Sequence, residues 1–272
     1  MNKFITILAS SALACSIASS NVLANIYVGL EGGLSLPAQS SFVDKDTKTK
    51  VKLGHSPMFG ARFGYEFAPN MAAEFSYTYQ PKYDFNVSIY HDFAKGKTKV
   101  TGNVMMLNLV YNFSEMGGGF KPYAIFGAGI AKIDLKAIDI KLATEGLDKV
   151  SEGIASALRA KYPLHMPATK AEISSVIKDI PALRIKKLNA NYFAWQAGLG
   201  VTKPLNDNLN LDFSAKLQVT HNIEVKSDHI DAQETVKRHT PGVITLVYSS
   251  SKIKKTMGVA EIAVGLTYKL PY

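Results

Sequence analysis

Three histidines near the C-terminal end, His221, His229 and His239, are candidates for chemistry because Asp228 and Asp231 lie beside them. Imidazole and carboxylate groups together could bind a metal ion or act as general acid and base. Their spacings of eight and ten residues do not bring the three imidazoles onto one helix face. The chain also lacks the G-x-S-x-G, H-E-x-x-H and phosphate-loop motifs. We therefore expect no catalytic site, metal site or cofactor, although a site assembled from strand ends and loops stays open.

A second set of candidate residues consists of charges at alternate positions within otherwise apolar segments. In a strand, alternate residues share one face, so the charges lie opposite the apolar residues. The inferred inner faces carry Arg62, Glu66, Glu74, Asp212, Lys216, Glu261 and Lys269. Unpaired charges in a narrow interior would cost several kcal/mol each, so these charges should form a paired network. The network could line a gated ion path or form a salt-bridged plug, and the narrow interior of eight strands favours the plug.

The elements that would position these charges are eight segments with period-2 alternation. In the second segment, for example, Phe63 and Tyr65 alternate with Arg62 and Glu66. The two faces of the fifth segment are too alike to assign an inner face. The segments run over residues 26–36, 58–67, 73–80, 105–113, 122–133, 193–201, 209–219 and 257–272.

The connections between these segments alternate in length. Short connections join the second to the third, the fourth to the fifth and the sixth to the seventh segment, whereas residues 37–57, 81–102, 134–191 and 220–256 form long loops. Short turns on one rim and long loops on the other are typical of transmembrane β-barrels, with the long loops outside the cell. The pattern predicts an all-β fold, an eight-stranded antiparallel up-and-down barrel over residues 25–272.

Period 2 also fits a soluble periplasmic barrel, in which the apolar face would point inward. The polar faces are mostly small and uncharged, which suits a narrow lumen better than a water-exposed exterior. Aromatic residues gather near the strand ends on the apolar faces, as in the two interfacial girdles of a membrane barrel. The predicted girdle consists of Tyr65, Tyr77, Tyr79, Tyr111, Trp195, Tyr268 and Tyr272. We therefore favour the membrane barrel.

The N-terminal segment predicts export. Lys3 is followed by an apolar, small-residue run and by Val22-Leu23-Ala24, which is an acceptable cleavage site for a signal peptide over residues 1–24. Cys15, the single cysteine, lies within this segment, so the mature chain would carry no thiol. The final segment ends on an aromatic residue and resembles the terminal strand of outer-membrane barrels. We expect a bacterial outer-membrane protein with its loops facing the exterior.

The formal net charge of +9 is concentrated in the predicted loops. A positive outer rim would attract outer-membrane lipid phosphates, acidic polysaccharide or acidic host proteins, although a solvated surface without a ligand stays open. Nucleic acid is not an expected partner because the chain is exported. The candidate ligand-binding residues are Lys48, Lys50, Lys52, Lys95, Lys97, Lys99, Arg184, Lys186, Lys187, Lys252, Lys254 and Lys255.

The third loop, residues 134–191, contains signals for short helices. Thr169 and Glu172 form a capping-box pattern, and Ile173 and Ile177 follow at helical spacing. Upstream, Ile154 and Leu158 recur on one helix face. The helices could pack on each other as a cap, lie on the membrane surface or meet a partner, and the self-packed cap is favoured because exposed apolar stripes are normally covered.

The phrases VMMLNLVYNF, KPYAIFGAGIA, YFAWQAGLGVTKPLNDNLNLDFSAKLQ and VGLTYKLPY resemble the eight-stranded outer-membrane barrels of the alphaproteobacterial surface-antigen group. That group includes rickettsial proteins proposed to be adhesins. The resemblance covers the strands but not the long third and fourth loops, and it carries no catalytic residues. It implies a surface barrel that attaches to host cells or binds a host serum protein. The alternatives are a structural or porin-like envelope barrel without a dedicated partner and, with less support, a lipid-modifying barrel enzyme.

Overall fold

The computed structural model describes residues 26–38, 41–44, 49–89, 94–140, 144–161, 169–178, 183–230 and 248–271. The predicted signal peptide, with Cys15, lies outside these ranges, as do Lys48, Asp231, His239 and Tyr272. Among the candidate residues named above, the backbone but not the side chain is described for Lys50, Lys52, Lys95 and His229.

The described residues form strands β1 (Ile26–Pro37), β2 (Ser41–Asp44), β3 (Thr49–Leu53), β4 (Ser56–Ala68), β5 (Met71–Ile89), β6 (Ala94–Asn112), β7 (Lys121–Leu135), β8 (Ile138–Ile140), β9 (Leu183–Ile185), β10 (Leu188–Pro204), β11 (Leu209–Ile230) and β12 (Tyr248–Lys269). Helices α1 (Thr144–Lys161) and α2 (Lys170–Ile177) lie between β8 and β9. Eight long strands, β1, β4, β5, β6, β7, β10, β11 and β12, pair antiparallel in that order. Pairing of β12 with β1 closes the ring. The predicted eight-stranded up-and-down barrel is confirmed.

Alternation along the long strands sends apolar side chains outward and small or polar side chains inward. On β6, Leu107 is 60% exposed and its neighbour Asn108 only 3%. On β5, Phe75 faces outward while Glu74 is buried. Burying a large apolar side chain is worth about 1.5–3 kcal/mol, so a soluble barrel would turn these residues inward. The outward faces instead fit lipid, and the soluble alternative is wrong.

Several strands are longer than their sequence patterns predicted. The described parts of the predicted loop 220–256 are strands, because β11 runs to Ile230 and β12 begins at Tyr248. The predicted loop 81–102 is likewise mostly part of β5 and β6. The predicted loop 134–191 contains β8, β9 and the first residues of β10, and the first loop contains β2 and β3. The barrel wall therefore continues past the predicted rim.

Two β-bulges explain why the sequence pattern ended early. The register between β5 and β6 shifts between Gln80 and Tyr83, and that between β11 and β12 shifts between Thr220 and Ile223. The extra residues lie on β5 and β11, so the inward and outward positions exchange on these two strands, whereas β6 and β12 keep their alternation. Beyond the bulges, apolar side chains point inward and pack in one cluster formed by Leu53, Tyr83, Val100, Ile133, Leu135, Ile140 and Ile185. The barrel wall there faces water and not lipid.

The two helices pack on each other. Ile154 and Leu158 of α1 and Ile173 and Ile177 of α2 are all buried. The hydroxyl of Ser174 donates to that of Ser151 at 2.8 Å across the pair. The predicted capping box at the start of α2 is present. Neither described helix is long and apolar enough to cross a membrane.

Candidate functional site

An ion-pair network spans the inside of the barrel at the level of the lipid-facing band. Arg62 on β4 is its centre, since its guanidinium lies within reach of carboxylates from three other strands. Arg62 Nη2 lies 3.1 Å from Asp212 Oδ2, Nε 3.7 Å from Glu31 Oε2 and Nη1 3.9 Å from Glu74 Oε2. All four side chains are at most 7% exposed. One cation therefore ties β4 to β1, β5 and β11 across the lumen.

Lys216 on β11 is the second cation of this network. Its Nζ lies 2.6 Å from Glu31 Oε1 and 3.8 Å from Glu261 Oε2. Neutral side chains also donate hydrogen bonds to the carboxylates: Gln80 donates to Glu261 at 2.7 Å, and Asn108 donates to Glu74 at 3.1 Å. The lumenal network therefore consists of Glu31, Arg62, Glu74, Asp212, Lys216 and Glu261, with each charge paired. The attraction between the paired charges offsets the free-energy cost of removing them from water.

The remaining two predicted lumenal charges do not join this network. Lys269 Nζ lies 2.7 Å from Glu66 Oε1, and both side chains are partly exposed at the rim that carries the short turns. Their separate pair is screened by solvent, so its contribution to stability is small.

The sequence interpretation missed Glu31 as a member of the lumenal network. Its signal was present, because Tyr27, Glu31 and Ser35 alternate with the apolar residues Val28 and Leu30 on β1. All three of these alternate residues are buried inside the barrel.

Glycines make room for the two lumenal tyrosines beside the network. A Cβ on Gly64 would lie 2.0 Å from Tyr27 Cζ, and a Cβ on Gly200 would lie 2.3 Å from Tyr123 Cζ. Each ring therefore occupies the space beside its glycine, where any larger residue would clash. Tyr27 also donates from its hydroxyl to Glu74 at 3.1 Å. The lumen is filled by side chains at this level.

The predicted girdle residues lie on the outer face at two heights. Tyr65, Tyr111 and Tyr268 lie towards the rim with the short turns, and Tyr77, Tyr79 and Trp195 lie towards the opposite rim. The Tyr77 hydroxyl donates to Asn103 Oδ1 at 2.7 Å. Trp195 Nε1 donates to His221 Nε2 at 3.0 Å, and the His221 ring stacks on Phe193. His221 therefore lies in the upper aromatic belt, and no group of three His, Cys, Asp or Glu able to hold a metal occurs in the described ranges.

The predicted basic residues lie mostly on strands and not in irregular loops. Lys97 and Lys99 are exposed on β6, Lys252, Lys254 and Lys255 on β12, and Arg184 on β9. Lys186 and Lys187 lie between β9 and β10.

Some of these basic residues are paired with acids of the outer wall. Arg184 Nε donates to Asp139 at 2.8 Å, Lys186 Nζ lies 3.1 Å from Asp228, and Lys252 Nζ lies 2.8 Å from Glu224. The hydrogen bond from Lys252 is the main cause that lowers the pKa of Glu224 below its usual value. Hydrogen bonds from Ser250 and then Lys186 lower the pKa of Asp228. Both carboxylates are therefore ionised at neutral pH.

Comparison with known proteins agrees with this geometry. The model of the outer membrane protein beta-barrel domain family matches residues 5–269. An uncharacterized protein of Rickettsia prowazekii (strain Madrid E) is 27% identical over 224 residues, which cover 79% of this chain and 100% of that protein.

Among solved structures, OprG from Pseudomonas aeruginosa is similar with a TM-score of 0.47 and 15% identity over 91% of this chain and 97% of that chain. Neisserial surface protein A is similar with a TM-score of 0.46 and 11% identity over 90% of this chain and 96% of that chain. Because the family model covers nearly the whole sequence, this chain belongs to the outer membrane protein beta-barrel domain family and resides in the bacterial outer membrane.

Proposed function

We propose that this protein is a non-enzymatic surface barrel whose basic extracellular strand pairs bind an acidic ligand of the host or the envelope. The observation that supports the proposal is that β6 continues past the upper aromatic belt, paired with β5, and keeps its lysines on the outer face. Lys97 and Lys99 on β6 are exposed there. A ligand would bind lysines whose backbone is already held in a sheet, so the protein loses little backbone freedom on binding.

An acidic polysaccharide fits this surface because its charges repeat along an extended chain. Lys97 and Lys99 are two residues apart on one strand face, which places them about 7 Å apart. Their separation is comparable to the spacing of charged groups along a sulfated sugar chain. Attachment to host cells, which the sequence resemblance implies, would follow if that polysaccharide belongs to a host surface.

The competing proposal is a structural or porin-like barrel without a dedicated partner. The paired lumenal charges and the apolar cluster above them support a closed barrel over a conducting one. A lipid-modifying enzyme gains no support from His221, whose ring is engaged by Trp195 and Phe193.

Replacing Lys97 and Lys99 together by glutamine is expected to weaken binding of heparin, used as the probe, by about five- to thirtyfold, because each surface lysine contributes about 1 kcal/mol to such attraction. The measurement is equilibrium binding to protein refolded in neutral phosphatidylcholine nanodiscs. The matched control is Lys121→Gln with Lys203→Gln, which removes two exposed lysines from the opposite rim. Equal heparin affinity in both double variants would contradict the proposal.

A further inference from the structure

A cleft opens in the barrel wall between β10 and β11. The register between these strands ends at Ala194 opposite Thr220. Beyond that point β10 pairs only with β7, as far as Leu188 opposite Leu135, while β11 pairs with β9 at Ser227 opposite Ile185. The separation leaves a cavity of about 410 Å³, here called the lateral cleft. Its polar lining is formed by Lys186, Lys187, Asn189, Tyr192, Asn222, Glu224, Lys226 and Lys254.

The bulge on β11 produces this separation. Asn222 has a φ of 55°, a left-handed conformation that asparagine tolerates better than most residues. The extra residue turns β11 away from β10 and leaves the Glu224 amide without a strand partner on that side. The Tyr192 hydroxyl accepts a hydrogen bond from this amide at 3.3 Å. One tyrosine therefore spans the gap where the ladder is interrupted.

The lateral cleft passes into the barrel wall, because its lining residues Leu188 and Tyr192 pack against the inner apolar cluster, whereas its charged residues lie towards the outer face. Ile223 and Val225 pack against the apolar cluster inside, so Glu224 and Lys226, which alternate with them, face outward. Lys254 is paired opposite Glu224 and shares its face.

The height of the cleft along the barrel is set by the upper aromatic belt. Phe193 and His221 are next in sequence to the lining residues Tyr192 and Asn222, and Trp195 donates a hydrogen bond to His221. Aromatic belts mark the interface between the lipid tails and the headgroups. The cleft therefore opens at the level where the phosphates of the outer leaflet lie.

The charge of the cleft is strongly positive. Four lysines and one glutamate line it, for a formal net charge of +3. The carboxylate of Glu224 already pairs with two lysines, because Lys252 Nζ lies 2.8 Å and Lys226 Nζ 3.7 Å from it. Lys186 Nζ lies 3.1 Å from Asp228, and Lys254 lies opposite Glu224 on the neighbouring strand. An anion in the cleft would meet donors from several sides.

We propose that the lateral cleft binds the phosphate of a phosphorylated lipid in the outer leaflet. Lysine ammonium groups supply the charge, and Asn189 and Tyr192 supply neutral hydrogen bonds. The lipid tails would lie along the exposed Phe193 and the upper belt below. This site differs from the polysaccharide surface in both residues and ligand, so either proposal can fail alone.

The test uses protein refolded in neutral detergent and titrated with bisphosphorylated lipid A, with bound lipid counted by native mass spectrometry. Replacing Lys187, Lys226 and Lys254 by glutamine is expected to weaken lipid binding by at least about tenfold. The control variant carries Lys82→Gln, Lys136→Gln and Lys178→Gln, which remove the same charge from exposed sites outside the cleft. Equal loss in both triple variants, or no loss in the first, would overturn the proposal.

Two further arms keep the test decisive. Glu224→Gln removes the single acid of the cleft lining and is expected to tighten lipid binding by about threefold, so weaker binding would count against the site. Glucosamine 1-phosphate, a soluble probe with the same phosphate chemistry, is expected to bind far more weakly than the lipid. Equal affinity for the soluble probe would show that the cleft recognises free phosphate and would overturn the lipid assignment.

Discussion

Replacing Arg62 by methionine is expected to destabilise the folded barrel by about 3–5 kcal/mol, the cost of leaving buried charges without their partner. The guanidinium is the shared partner of Asp212, Glu31 and Glu74, all within 3.9 Å and all buried. Its loss would leave the four carboxylates of the lumenal network with Lys216 as their one remaining cation. The measurement is denaturant unfolding in lipid vesicles, followed by the fluorescence of Trp195, the single tryptophan.

The matched control for this variant is Lys269→Met. Lys269 also forms one close ion pair, at 2.7 Å from Glu66, but both side chains are partly exposed at the rim. Such pairs contribute about 0–1 kcal/mol, so this variant should unfold close to the native protein. If Arg62→Met were no less stable than Lys269→Met, the lumenal network would not hold the barrel together.

Replacing Leu107 by lysine is expected to cost about 2–4 kcal/mol, the penalty for a charge on the lipid face near the bilayer midplane. Leu107 is 60% exposed and lies on β6 about halfway between Tyr111 of the lower belt and Asn103, which binds Tyr77 of the upper belt. The same vesicle unfolding measurement applies.

The control for the lipid face is Lys82→Leu, the opposite change at the bulge of β5. Lys82 is exposed above the upper belt, where the wall faces water, so we expect a change within about 0.5 kcal/mol. A tolerated lysine at position 107 would mean that this face is not in contact with lipid.

The strands of the barrel could be predicted because lipid imposes a strict rule on alternate residues. Phe63 and Leu107 point outward and Arg62 and Asn108 inward, as period 2 requires. The rule also places residues from distant parts of the chain in one lumen. For this reason a set of charges could be proposed from sequence, whereas their pairing with Glu31 could not.

The strand ends could not be predicted because the rule changes at the bulges. Beyond Gln80 and Thr220 the register shifts by one residue, and the environment of the outer face changes from lipid to water. Both changes interrupt the period-2 pattern at the same place. The sequence beyond the bulges therefore predicts loops, although the strands continue there. The face of β7 was ambiguous for another reason, since Ile125 points inward and Ile130 outward.

The lateral cleft could not be predicted from the sequence either. Its lysines come from the β9–β10 junction, β11 and β12, and their proximity depends on where β10 and β11 part. A bulge residue such as Asn222 gives no period-2 signal of its own. The short strands β8 and β9 likewise depend on pairing with distant β11.

Single-channel recording in a planar bilayer tests the central claim most directly, because the claim is that the lumen is closed and that function resides on the outer surface. The native protein is expected to insert without a steady open level, since the lumenal network and the apolar cluster above it fill the interior. Heat-modifiable gel migration verifies that the protein is folded and inserted. A steady, reproducible conductance from such native protein would contradict the claim of a closed lumen.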